Sequence, residues 1–139
     1  MRYQKLSELC LSQAENLYAL CGWSAYLTDR AALQRAFENS LSFFGAYEQE
    51  RLIGFARCVG DGEHVVLIQD LLVDPAFWHR GIGTELLSLV LKEYRSVRSV
   101  FLLTDADDPR ANGFYQKIGL IPLEKIGRLS ETVTQMQSA

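Results

Sequence analysis

"DPAFWHRGIGTELL", residues 74–87, runs from a proline and two large aromatics through two glycines into an apolar-striped segment. Leu86, Leu87, Val90, Leu91 and Tyr94 recur at spacings that make one helical face, so the glycines stand where that helix begins. Two roles compete for Gly81 and Gly83. Lacking Cβ atoms, they permit a tight strand-to-helix turn and close packing of helix on sheet. They equally let successive amides face an anion at the positive end of the helix. The familiar phosphate loops do not apply. Neither glycine is followed by Lys-Ser or Lys-Thr, and the third glycine of G-x-G-x-x-G is replaced by Leu86.

Upstream, the runs 41–48 (LSFFGAYE), 51–59 (RLIGFARCV) and 64–73 (HVVLIQDLLV) read as strands joined by the turns QE and GDGE, an antiparallel meander. Segment 97–104 (VRSVFLLT) follows the glycine-led helix as a strand. A right-handed crossover lays it parallel to 64–73. Residues 108–119 predict a further helix, with Asp108 as N-cap, Pro109 in the first turn and Gly119 near the C-cap. Segments 120–126 and 128–136 close the sheet as a hairpin.

Toward the N-terminus, residues 2–6 predict a short strand. A capping box at Ser12 and Glu15 opens a helix with Leu17, Leu20 and Cys21 on one face, and a Thr28 cap opens a second helix with Leu33 and Phe37 four apart. The order β-α-α-β-β-β-α-β-α-β-β predicts an α/β (α+β) fold: a mixed, mostly antiparallel central sheet with helices on both faces. With 139 residues, 48% of them hydrophobic, one domain over 1–139 is expected.

Composition narrows the function classes. With 17 Asp+Glu against 14 Lys+Arg there is no global basic field, so neither nucleic acid nor an anionic membrane is an expected partner. "MRYQKLSELC" lacks the apolar core of a signal peptide, and no apolar run approaches the ~18 residues of a membrane span, so a cytoplasmic location is expected. Cys10, Cys21 and Cys58 are odd in number and show neither a C-x-x-C pair nor zinc-like spacing. They read as buried reduced thiols, with no metal site.

Residues 71–87, LLVDPAFWHRGIGTELL, resemble the GNAT superfamily of acyl-CoA-dependent N-acyltransferases: an apolar strand ending in Val, a Pro-containing loop, then [QR]-x-x-G-x-[GA] and a helix. Gly81 and Gly83 take the two small positions, while Trp78 stands where the superfamily has Gln or Arg. Residues 107–120, DDPRANGFYQKIGL, are similar to its A-x-x-F-Y-x-K-x-G-F through Ala111, Phe114, Tyr115, Lys117, Gly119 and Leu120. Two motifs in this order with a strand between them are far more specific than either alone.

The resemblance implies a GNAT-type sheet and acetyl-CoA as co-substrate. The backbone of His79, Arg80, Gly81, Ile82, Gly83 and Thr84 would cradle the pyrophosphate. Leu71, Leu72 and Val73 would offer strand backbone to the pantetheine arm in the manner of an added strand, with the N–H near Leu72 or Val73 polarising the thioester carbonyl. Tyr115 would be the general acid for the departing thiolate.

The amine poses the harder proton problem. A primary ammonium with a pKa near ~10 is nucleophilic in about one molecule per thousand at pH 7, a handicap of roughly 4 kcal/mol. "IQDLLV" is similar to the corresponding strand of diamine acetyltransferases, but their Glu is Gln69 here and accepts no proton. Asp70 reads evenly as a base acting through water or as a structural carboxylate bonded to neighbouring backbone.

His64 is expected to face solvent. Trp23 and Tyr26, with Phe43 and Phe44, are candidates for an aromatic wall around a small-molecule or protein amine. The expected activity is acetyl transfer to an amine by direct attack in a ternary complex. The alternatives are a non-catalytic acyl-CoA-binding regulatory module, or transfer of a longer acyl group. A sheet edge at the C-terminal hairpin would support a homodimer.

Overall fold

The computed structural model describes residues 1–105, 113, 120–122 and 133–138. These form one seven-stranded sheet in the order β1-β2-β3-β4-β5-β7-β6. The strands are β1 (Arg2–Leu6), β2 (Ser42–Glu48), β3 (Arg51–Gly60), β4 (Val65–Val73), β5 (Ser99–Asp105), β6 (Leu120–Pro122) and β7 (Val133–Ser138). All neighbours are antiparallel except β4 and β5, which run parallel as the crossover rule requires. The C-terminal hairpin is present, with its second strand at 133–138 rather than 128–136.

The helices are α1 (Leu11–Leu20), α2 (Arg30–Glu38) and α3 (Ile82–Glu93). α3 buries Ile82, Leu86, Leu87 and Val90 against Phe44, Ala46, Ile53, Ala56, Val66 and Ile68 on one face of the sheet. On the other face Ala14, Leu17 and Tyr18 of α1, with Leu33 and Phe37 of α2, cover Phe43, Leu52, Phe55 and Leu72. Alternation along β2 and β3 therefore sends Phe43 and Phe44 to opposite cores, and β3, covered on both sides, reads after its first residue, Arg51, as an unbroken apolar run apart from Arg57. Gly54 keeps α3 close. A Cβ there would stand 3.1 Å from the Leu72 carbonyl oxygen and 3.4 Å from Leu86 Cδ1.

Several local expectations are corrected. α1 begins at Leu11 with Cys10 at its N-cap and no side-chain cap, so Ser12 and Glu15 form no capping box; Glu15 accepts from Arg30 Nε at 3.0 Å instead. The buried face of that helix holds Tyr18, while Leu20 is exposed. Asp29, not Thr28, caps α2 by accepting from the Ala32 amide, and the Thr28 hydroxyl donates to the Ala25 carbonyl. A short 3-10 turn, Ser24–Leu27, fills the intervening loop. Cys58 is buried, Cys21 is half-buried and Cys10 is exposed, so the expectation of three buried thiols fails for Cys10.

The helix expected over 108–119, including Asp108, Pro109, Ala111, Phe114, Tyr115, Lys117 and Gly119, lies outside the described residues save for Gly113, which is helical and exposed. Among the described residues no helix is long and apolar enough to cross a membrane.

Candidate active site

The site is made by a strand that changes partners halfway. β4 pairs with β5 only from Val65↔Ser99 to Ile68↔Leu102. Its register with β3 shifts at the same place, where Arg57 faces Asp70 and Cys58 faces Ile68, leaving Gln69 as the extra residue of a β-bulge. Beyond it β4 keeps β3, β5 keeps β7, and no register joins β4 to β5 among the described residues. The bulge also reverses the facing of β4. Val66 and Ile68 point toward α3, whereas Asp70 and Leu72 point toward α1 and α2.

The free edge of β4 can be assigned atom by atom. The Asp74 amide donates to the Ile53 carbonyl at 2.8 Å. Strand alternation then turns the polar backbone groups of Leu72 and Asp70 toward β3, and those of Leu71 and Val73 to the opposite edge. The Val73 amide thus lies on the edge away from β3, and the Leu72 amide on the edge toward it. The Val73 carbonyl already receives Trp78 Nε1 at 2.8 Å and Cys21 Sγ at 3.3 Å. Trp78, the departure from the [QR] position, thus ties the loop to the end of β4 through its indole N–H while its ring stays exposed.

The loop into α3 is held by Asp74, which is buried, caps a 3-10 turn at Pro75–Phe77 through the Ala76 amide, and pairs with Arg51 at 2.7 Å. His79 has φ 66° and Gly81 φ 78°, two left-handed residues that wrap the backbone around the helix start. A Cβ on Gly81 would meet nothing within 4 Å, so its conformation, not crowding, calls for glycine. Gly81 is the N-cap of α3 and supplies no side-chain cap, leaving the first-turn amides of Ile82, Gly83 and Thr84 directed out of the helix end. Arg80 is exposed, its guanidinium 5.0 Å from the Phe77 ring centre. Among the described residues no side chain caps this helix end, whereas Asp29 closes the first turn of α2.

Behind the opening lies a polar network that sequence reading did not find. Asp70, 1% exposed, accepts Tyr18 Oη at 2.8 Å and Arg57 Nε at 2.6 Å on Oδ2, and Tyr26 Oη at 2.8 Å on Oδ1. Arg57, 5% exposed, also reaches Ser40 Oγ at 3.2 Å and lies over Phe37. Gln69 Nε2 donates to Tyr26 Oη at 3.2 Å. Asp70 is therefore bonded to three side chains rather than to neighbouring backbone, and it is shut off from solvent.

Burial, then the Asp70 charge, raises the Tyr18 phenol above its ordinary range. Burial also raises Tyr26, against a lowering by the Gln69 bond. Arg57 would be lowered by burial alone, but Asp70 outweighs this and raises it. The signal for the network was present as an Arg inside an otherwise apolar strand, since a buried Arg requires an acid partner.

The aromatic wall forms only in part. Tyr18, Trp23 and Tyr26 lie together, with Trp23 and Tyr26 centred 6.2 Å apart at 30° and both half-buried. Phe43 is fully buried beside Phe37, and Phe44 sits in the opposite core, so neither lines this surface. His64 is exposed beside the GDGE turn, away from the opening.

The family model described as "Acetyltransferase (GNAT) family" matches residues 8–120. A ycf52-like N-acetyltransferase of Prochlorococcus marinus is 33% identical over 123 residues, covering 84% of this chain and 66% of its own length. A GNAT-family acetyltransferase from Streptococcus pneumoniae superposes with a TM-score of 0.81 at 28% identity, covering 93% of each chain. The PaiA N-acetyltransferase of Thermoplasma acidophilum, solved in complex with coenzyme A, superposes at 0.68 with 17% identity and 99% coverage of both. The chain spans 29–66% of the length of the curated relatives it matches.

Proposed function

The chain belongs to the acetyltransferase (GNAT) family, and on that premise we propose that it moves an acetyl group from acetyl-CoA to a primary amine by direct attack in a ternary complex. The observation that carries this reading is the free edge of β4 after the Gln69 bulge, set beside the uncapped start of α3. In this reading the backbone groups of Leu71 and the amide of Val73 hold the pantetheine arm as an added strand, the Val73 carbonyl being engaged by Trp78 and Cys21. The amides of residues 79–84 hold the pyrophosphate, a cradle that needs no basic surface. The solved complex of the Thermoplasma relative with coenzyme A supports the donor class.

The Val73 amide polarises the thioester carbonyl, adding charge stabilisation where the oxygen becomes negative. Tyr115, outside the described residues, is the proposed general acid on the strength of its place in the second motif. Asp70, with its oxygens engaged, is proposed as an organiser of the acceptor side rather than a proton acceptor. Trp23 and Tyr26 face the amine there. One unit over 1–139 and a cytoplasmic setting, which suits free thiols, complete the proposal.

The test is a thiol-release assay with acetyl-CoA across a panel of small and peptide amines. CoA release with some acceptor is expected; no release with any, despite measurable acetyl-CoA binding, overturns the reading. Tyr115→Phe is expected to lower turnover by about ten-fold to a thousand-fold with acetyl-CoA affinity nearly intact. Equal loss of both refutes the acid role. Gln69 and the engaged Asp70 favour one second reading, an acyl-CoA-binding module without transfer, which the same assay separates.

A further inference from the structure

We propose that the Tyr26 hydroxyl is the acceptor-side specificity determinant, a hydrogen-bond acceptor aimed at an N–H of the incoming ammonium, with Asp70 and Arg57 as the positioning residues that set its direction. The proposal rests on the acetyl-transfer reading and deepens it.

A phenol has one proton and two lone pairs. Tyr26 Oη donates that proton inward to Asp70 Oδ1 at 2.8 Å, while Arg57 Nε holds Asp70 Oδ2 at 2.6 Å. One lone pair takes the Gln69 Nε2 hydrogen at 3.2 Å, and among the described residues no donor meets the other, which is the one we assign to a ligand. Gln69 is the bulge residue at which β4 leaves β5, so this oxygen sits where the free edge begins. Tyr18 makes the same bond to Asp70 but is completely buried, and of the two phenols only Tyr26 has exposed surface.

The direction is enforced from behind. Arg57 Nε and Tyr18 Oη fill Oδ2 of Asp70, leaving Oδ1 for Tyr26. Trp23, half-buried, has its ring centred 6.2 Å from the Tyr26 ring at 30°, so an aromatic face accompanies the phenol. A cation with N–H donors is satisfied by both; a neutral acceptor-bearing group is not. The site therefore favours a protonated amine over a group without N–H donors, and it holds the nitrogen by one N–H.

The experiment measures KM for the amine and for acetyl-CoA, with kcat, in wild type, Tyr26→Phe, Asp70→Asn and the double variant. Tyr26→Phe removes one oxygen from a half-exposed ring and is expected to fold. Its amine KM should rise about ten-fold or more, the scale of a hydrogen bond to a charged group, with acetyl-CoA KM unchanged and kcat within about three-fold.

Asn at 70 offers an N–H to the phenol oxygen and turns its proton outward, so Asp70→Asn should raise amine KM at least as much. Adding Tyr26→Phe to it should cost nothing further in KM. A structural role for Asp70 would instead give independent, multiplying losses. An amine KM for Tyr26→Phe within two-fold of wild type, or an equal rise for acetyl-CoA, overturns the proposal.

If wild type acetylates no amine, the same panel is titrated by calorimetry in the presence of CoA. Amine binding that Tyr26→Phe weakens keeps this inference and removes the transfer reading; no Tyr26-dependent binding removes this inference.

Discussion

Removing the Asp70 carboxylate should expose how much of the molecule leans on one buried charge pair. In Asp70→Ala the Arg57 guanidinium, 5% exposed, keeps, among the described residues, only Ser40 Oγ at 3.2 Å and the Phe37 ring face, and the Tyr18 hydroxyl, wholly buried, loses its acceptor. Breaking a buried pair from one side costs about 3–5 kcal/mol because an uncompensated charge remains. An orphaned buried hydroxyl adds about 1–3 kcal/mol, partly overlapping. A loss of about 4 kcal/mol is expected, a large share of the ~5–15 kcal/mol typical of a domain.

In urea the midpoint should fall by about 2 M at an m value near 2 kcal/mol/M. The triple variant Arg57→Met/Asp70→Leu/Tyr18→Phe removes every deeply buried member at once and should return to within about 1 kcal/mol of wild type, since apolar replacement of a buried pair is often neutral or stabilising. It should nonetheless lose amine affinity, because Tyr26 no longer has its anchor. Equilibrium urea unfolding followed by tryptophan fluorescence reads both. A cost below about 1 kcal/mol for Asp70→Ala, or a triple variant as unstable as the single one, refutes the reasoning.

Other expectations follow from local geometry. Gly81→Ala should lose about 1 kcal/mol and raise acetyl-CoA KM, because φ 78° suits glycine although a Cβ has open space; Gly81→Asn should be milder, and equal effects would point away from backbone strain. Thiol titration at pH 8 should modify exposed Cys10 first and half-buried Cys21 more slowly, with Cys58 reacting only on unfolding, since burial pushes its thiol up to about 12. Early loss of Cys58 would contradict its burial.

Asp61 accepts the amides of Val65, Glu63 and His64, which lower its pKa from 3.8 to about 2. Its folded value lies below the unfolded one, so its contribution is present above about pH 4 and lost as pH falls through 2. Carboxylate titration by NMR should find that value, and Asp61→Ala should flatten the acid-unfolding profile between pH 4 and 2; an ordinary Asp61 titration would refute it.

Most of the architecture was legible in the chain because its signals are local. Alternation, turns, one strong apolar stripe and a crossover rule gave the described strands, their pairing and α3. The caps were less legible, since Ser12 and Glu15 had the pattern of a capping box while Glu15 was drawn to Arg30, 15 residues away. For the candidate site, the paired motifs marked out the 71–84 segment, but the choice of Val73 over Leu72 needed the strand register.

Sequence alone determined that a glycine-led helix follows a strand within a mixed sheet, and that this combination carries a family likeness, because period and motif are written in adjacent residues. Tertiary structure decided what Gln69 and Asp70 do. A single extra residue in β4 turns Asp70 away from the α3 core and parts β4 from β5. The partners that then meet Asp70 come from 52, 44 and 13 residues away. No local pattern records which side chains will close on a buried carboxylate; that depends on strand register and helix packing, and here those bring Tyr18, Tyr26 and Arg57 onto Asp70.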